Sequence, residues 1–427
     1  MNEAPGQMYQ KTTLPNGLRL VTSTFPHTRS VSVAIFVAAG PRYEKPELAG
    51  ASHFIEHLCF KGTRRWPSSQ QVSEAIEGVG GILNAGTDKE VTIYWCKVAQ
   101  THFQLALDLM TDLVRWPKMD PQDTERERPI IIEELNMCLD SPQSRVDQIS
   151  DELLWPGQPL GRDIGGSKET VSAMPHQALL KYMAQRYLPH NAVVAVAGNI
   201  EHGQVEEAAR KAFGDWKRRK SPEGFPSDRD QDAPRLRIEH RDTEQVNLSL
   251  GVRGIPALHA DRFKVDLMNA VLGEGMSSRL FAEIREKRCL AYDIHSSVSH
   301  FSDTGALNVY AGVDPARLKD AIAAILVELD RLKIDMPETE VSKAKEMTKG
   351  RLLLRMEDTR NVVSWLGSQE IVTGKILTPD EVVAMVDQIT AEDLKELAKQ
   401  LLVTNKLSLA VVGPVKARDL PIRTLKL

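Results

Sequence analysis

The chain has 427 residues, 42% of them apolar and 26% charged, and a formal charge of −4. That length suffices for two or more domains with separate cores, and the balance of charge excludes the basic field that nucleic-acid binding requires. Its four cysteines, Cys59, Cys96, Cys138 and Cys289, form no C-x-x-C pair, which argues against a disulfide framework or a cysteine-ligated zinc. In chain order, residues 30–40 (SVSVAIFVAAG) predict a strand and LAGASHFIEHLCF a helix. GGILNAGTDKEVTIYW at 80–95 predicts a strand through its alternating Val91, Ile93 and Trp95, and CKVAQTHFQLALDLMTDLV continues as strand then helix. ALLKYMAQRYLPHNAVVAVAGNI closes the first half as helix then strand.

After a charged, Pro- and Gly-containing segment at 216–234 the plan repeats. QVNLSLGVRG at 245–254 answers the strand at 30–40, FKVDLMNAVLG the first helix, YAGVDPARLKDAIAAILVEL the central pair, and LKELAKQLLVTNKLSLAVVGPV the closing pair. The expected fold is α+β, two homologous α/β halves, each a mostly antiparallel mixed sheet flanked by helices. Residues 1–215 form one half, 216–234 the linker and 235–427 the other. No run of 18 apolar residues occurs, and residues 1–10 carry neither a signal nor a transit pattern. A cytoplasmic protein without membrane contact is expected.

The chemistry concentrates in the first helix, where His53, Glu56 and His57 have the spacing H-x-x-E-H. At about 100° per residue these three share one helix face, while Phe54, Ile55 and Leu58 turn toward a core. Two imidazoles one turn apart can share one Zn2+, and an adjacent glutamate can take a proton from a water held there. Cys59, about 200° around from His57, faces away and reads as core. Catalytic zinc commonly takes a third protein ligand, and the run ERERPIIIEELNMCLD offers Glu133 and Glu134 side by side.

The H-x-x-E-H order with paired glutamates downstream resembles the pitrilysin or insulinase-type metallopeptidases, the inverzincins. It is similar above all to their shorter bacterial and mitochondrial-processing-peptidase-like members. The resemblance implies Zn2+ held by His53, His57 and Glu134, which lies 77 positions after His57, with Glu133 its solvated neighbour and Glu56 the general base. It also implies a carboxylate two turns before the distal ligand, Glu127, orienting the site, although Pro129 is expected to interrupt that helix. Asn84 and Ala85 fall where the family lines its cleft and adds extended peptide as a strand. Arg285 and Tyr292 match the arginine and tyrosine that reach bound substrate, Tyr292 toward the oxyanion and Arg285 toward a carbonyl.

The implied function is a zinc endopeptidase cutting extended or unfolded polypeptide, with a non-catalytic scaffold or peptide-holding partner subunit as the alternative. The implied assembly is a homodimer or a heterodimer with a related subunit. In the second half the helix aligned with the first has no H-x-x-E-H, so one metal per chain is expected. His102, His176, His190 and His202 lack paired spacing and read as structural or solvated, and His295 and His300 receive no role. GEGMSS, Gly273 to Ser278, lacks the lysine of a phosphate-binding loop, and Ser277 and Ser278 have no His/Asp context.

Overall fold

The computed structural model describes residues 8–227, 231–416, 418 and 420–427. Its first compact unit comprises Met1–Leu135, Asp163–Phe225 and Leu354–Thr378. Six strands build its sheet: β1 (Gln10–Thr13), β2 (Arg19–Thr24), β3 (Ser30–Val37), β4 (Ile82–Thr87), β5 (Thr92–Ala99) and β6 (Ala192–Gly198). Their order is β1-β2-β6-β3-β5-β4, with β2 and β6 parallel and every other pair antiparallel.

The central strand β3 reads SVSVAIFV and is buried along nearly its whole length, because both faces of the sheet are covered. Val31, Val33, Ile35 and Val37 join one core with Phe54, Ile55 and Leu58 and with Leu107 and Met110 of helix Phe103–Arg115. Ser32 and Phe36, on the opposite face, meet helix Thr359–Thr373, the Ser32 and Thr359 hydroxyls 2.8 Å apart. Gly367 of that helix lies so close to Phe36 that a Cβ on it would stand 2.0 Å from the ring.

The helix that carries H-x-x-E-H, α1, spans Ala51–Cys59 and buries Phe54, Ile55, Leu58 and Cys59. Its entry is shaped by Gly50 at φ 94°, where a side chain would meet the Gly165 carbonyl. The buried Glu44 carboxylate accepts from the backbone N–H groups of Gly50 and Ser52, each at 2.8 Å. Donors left over at a helix start are thereby satisfied and the charge suits that end of the helix dipole.

The second unit comprises Asn136–Arg162, Pro226–Leu353 and Pro379–Leu427. Its strands are β7 (Arg235–His240), β8 (Val246–Gly254), β9 (Ala291–His300), β10 (Gly305–Val313) and β11 (Ser408–Gly413), in the order β7-β11-β8-β10-β9. β7 and β11 run parallel and the rest antiparallel, the same plan as β2-β6-β3-β5-β4. The expected duplication of mixed, mainly antiparallel sheets flanked by helices is therefore present.

The compact units cut across the expected division into 1–215 and 235–427. Helix Pro142–Leu154, early in the chain, sets Val146 and Ile149 against Tyr310, Ala410 and Val412 of the second sheet. Helix Thr359–Thr373, late in the chain, covers β3 and β6 of the first. Each sheet has a second apolar face to bury, and the covering helix comes from the other half of the sequence. Within 216–234, residues 228–230 lie outside the described residues and the remainder carries neither helix nor strand.

Candidate metal centre

His53 and His57 stand one turn apart on α1 and direct their Nε2 atoms at each other across 3.3 Å. Oε2 of Glu134, on helix Pro121–Asp140, is 3.6 Å from Nε2 of His53 and 3.5 Å from Nε2 of His57. An ion bound at about 2.0–2.1 Å by tetrahedral donors separates those donors by about 3.3–3.5 Å. The observed edges of 3.3, 3.5 and 3.6 Å lie within or close to that range, and the two-imidazole, one-carboxylate set suits zinc. Among the described residues this is the one group of three or more His, Cys, Asp or Glu side chains close enough to hold an ion.

Electrostatics favour the same conclusion. Burial, then repulsion from His57, lowers the His53 imidazole to a pKa of about 4, which leaves it neutral with a lone pair to give. Burial also pulls His57 down, but its hydrogen bond to Glu127 and the charges of Glu134 and Glu56 outweigh that, and its pKa is raised. A proton is attracted where a cation would sit. Glu127 Oε2 is 3.1 Å from Nδ1 of His57 and its Oε1 pairs with Lys61. With Nδ1–H donated to Glu127, Nε2 of His57 presents its lone pair to an ion. Burial raises the Glu56 carboxyl above its usual range, against the pull of the Thr87 hydroxyl, which donates to Oε2 at 2.5 Å.

Helix Pro121–Asp140 continues through Pro129, contrary to the expected interruption. Proline there removes one N–H from the ladder, and the flanking turns persist, so Glu127 and Glu134 remain two turns apart on one face. Glu127 is buried, while Glu133 and Glu134 are exposed. Cys59 is fully buried and accepts from the Tyr94 hydroxyl at 3.4 Å.

On β4, neighbouring residues point to opposite faces. Ala85 shares the face of Leu83, and both pack against the core, while Thr87, two further on, reaches Glu56. Asn84 is exposed, its side-chain oxygen accepting from the Ala85 N–H at 2.7 Å. In the second unit the Arg285 guanidinium lies 4.9 Å from the centre of the Tyr292 ring and 4.7 Å from that of Phe281. Arg285 belongs to a π-helical turn, Phe281–Lys287, and Tyr292, on β9, is 76% exposed.

Three of the bystander histidines have hydrogen-bond partners away from the centre. His202 lies between the Thr12 and Thr22 hydroxyls, His176 contacts Thr124, and His300 meets the Ile255 carbonyl and Asp266. Two residues of the centre are not singled out by the motif. Thr87 was legible only as the third residue after Asn84 on the same strand, and Lys61 only as the next step of four after His53 and His57.

Two histidines and a distant glutamate stand together on one half of a duplicated sheet-and-helix frame, and comparison with known proteins names the family. The model of the insulinase family of peptidases, M16, matches residues 19–168, and that of the M16 inactive domain matches residues 173–348. An uncharacterized zinc protease of Mycobacterium leprae is 37% identical, the alignment covering 98% of this chain and 94% of that one. Another of Streptomyces coelicolor is 36% identical over 96% of this chain and 90% of its own. A solved Helicobacter pylori protease superposes with a TM-score of 0.90 at 22% identity, covering 95% of this chain and 99% of that one. The chain belongs to the insulinase (M16) peptidase family. No helix among the described residues is long and apolar enough to cross a membrane.

Proposed function

We propose that the protein is a zinc-dependent endopeptidase acting on extended or unfolded polypeptide. The observation that carries this reading is the convergence of His53, His57 and Glu134, whose ligand atoms all lie within 4.8 Å of one another, beside the half-buried Glu56. When bound, zinc supplies a Lewis acid that activates water and polarises a peptide carbonyl.

The remaining work belongs to side chains of this chain. Glu56, held by Thr87, takes the proton of the attacking water and returns it to the departing amine. Its burial raises its affinity for that proton, which suits a shuttle more than a permanently ionised carboxylate does. Glu127 keeps the His57 ring turned. β4 is the outer strand of its sheet, paired on one side with β5, and its other side offers backbone groups to an extended substrate, beside Ala85.

The test is to measure zinc content and to digest an unstructured peptide with and without phenanthroline. About one zinc per chain and chelator-sensitive cutting are expected. Peptide that is retained uncut by zinc-loaded protein would replace the peptidase with a peptide-holding subunit.

A further inference from the structure

Lys61 follows His57 by four positions, just past the end of α1. Its ammonium pairs with Oε1 of Glu127, and Oε2 of the same carboxylate bonds Nδ1 of His57 at 3.1 Å. One carboxylate thus joins a lysine to a candidate zinc ligand. Glu127 is only 3% exposed, whereas the Lys61 side chain keeps 31% of its surface. An ion pair between two exposed groups contributes little and leaves both free to move. A buried carboxylate differs, because out of water its charge has to be met by a cation and by hydrogen bonds that use both oxygens. Among the described residues Lys61 is the full positive charge paired with Glu127, whose other oxygen meets the imidazole it orients.

We propose that Lys61 is a positioning residue of the metal centre, anchoring Glu127 in the one orientation from which it turns Nε2 of His57 toward His53 and Glu134. Without the ammonium, Glu127 is free to swing toward solvent, and the His57 ring loses the acceptor that sets its tautomer and its direction. Lys61 acts on the metal through two intermediaries and touches neither ion nor substrate. This inference rests on the zinc reading above and adds to it a residue outside H-x-x-E-H.

The decisive experiment is a double-mutant cycle read by zinc affinity, using competition with a chromophoric chelator on the full chain. Wild type, Lys61→Met, Lys61→Arg, Glu127→Gln and Lys61→Met/Glu127→Gln are compared. Lys61→Met is expected to weaken zinc about 10-fold, and Lys61→Arg, which restores the cation, by no more than about twofold. In the Glu127→Gln background Lys61→Met is expected to add nothing, since the path runs through Glu127. Metal-free melting temperatures report folding separately, and Lys61→Gln serves as a second neutral variant should Lys61→Met fold poorly. Unaltered zinc affinity in Lys61→Met, or a loss that adds in full to that of Glu127→Gln, overturns the inference. A wild-type protein that takes up no zinc overturns the zinc reading beneath it as well, so the two failures are told apart.

Discussion

Thr87 ends β4, Glu56 sits in the middle of α1, and the threonine hydroxyl donates to Oε2 of the glutamate at 2.5 Å. This bond ties the candidate base to the outer strand of the first sheet. Strand and helix are thereby held in one register.

Thr87→Val removes the donor while nearly preserving shape. A hydrogen bond to an ionised group contributes about 1.5–3 kcal/mol, so kcat is expected to fall roughly 10- to 100-fold, with zinc content intact. Thr87→Ser should retain most of the rate. Steady-state hydrolysis of a fluorogenic peptide decides, and an unimpaired Thr87→Val would separate Thr87 from the reaction.

Glu56→Gln keeps the size and polarity of the side chain and removes its basicity. Positioned acid–base groups contribute about 10²- to 10⁴-fold, and a loss of that order is expected with zinc still bound, because Glu56 is outside the ligand set. Elemental analysis beside a turnover assay checks both halves. Normal turnover in this variant would remove Glu56 from the mechanism.

Glu134→Gln and His57→Ala each delete one of three donors, and each is expected to lose most of its zinc together with activity. Dialysis of the wild type against phenanthroline should abolish cutting, and added zinc should restore it. Undiminished zinc in either variant would refute the assignment of ligands.

Gly367→Ala places a methyl against the Phe36 ring, where its carbon would meet Cε2 at 2.0 Å. Overpacking of a tight contact costs about 1–3 kcal/mol. Urea unfolding should show a lower midpoint with an unaltered slope. An unchanged midpoint would mean that helix Thr359–Thr373 does not press on the first sheet as described.

His202 supplies a pH dependence of stability. Burial, opposed by Glu206, lowers its pKa below the usual value, and its ring nitrogens meet the Thr12 and Thr22 hydroxyls at 2.9 and 2.7 Å. The unfolded imidazole titrates near about 6.5, so the unfolded state binds the proton first. The stabilisation is present above that pH and is lost as pH falls through the depressed folded value. His202→Gln should flatten the acid limb of a urea-midpoint profile between about pH 7.5 and 5. A limb as steep as that of the wild type would assign the loss to other groups.

How much of this was legible beforehand differs between local and distant relationships. Alternation in SVSVAIFV and the 3.6-residue period of ASHFIEHLCF are properties of a few neighbouring residues, and both elements form as expected. The doubling of the plan was legible too, since each half repeats strand, helix, strand and helix in the same order. Pro129 misled because its effect on a helix depends on what packs around it, and the helix carries on through it.

By itself the sequence determined that two imidazoles and a carboxylate share one helix face, because backbone geometry ties spacing to direction over a single turn. Tertiary structure alone decided that Glu134 arrives 3.5 Å from His57, that Glu127 and Lys61 brace that ring, and that Thr87 holds Glu56. It also decided that a helix from late in the chain covers the first sheet. Contacts of that kind arise from apolar faces finding cover across long stretches of chain, a cooperative outcome to which each residue contributes little.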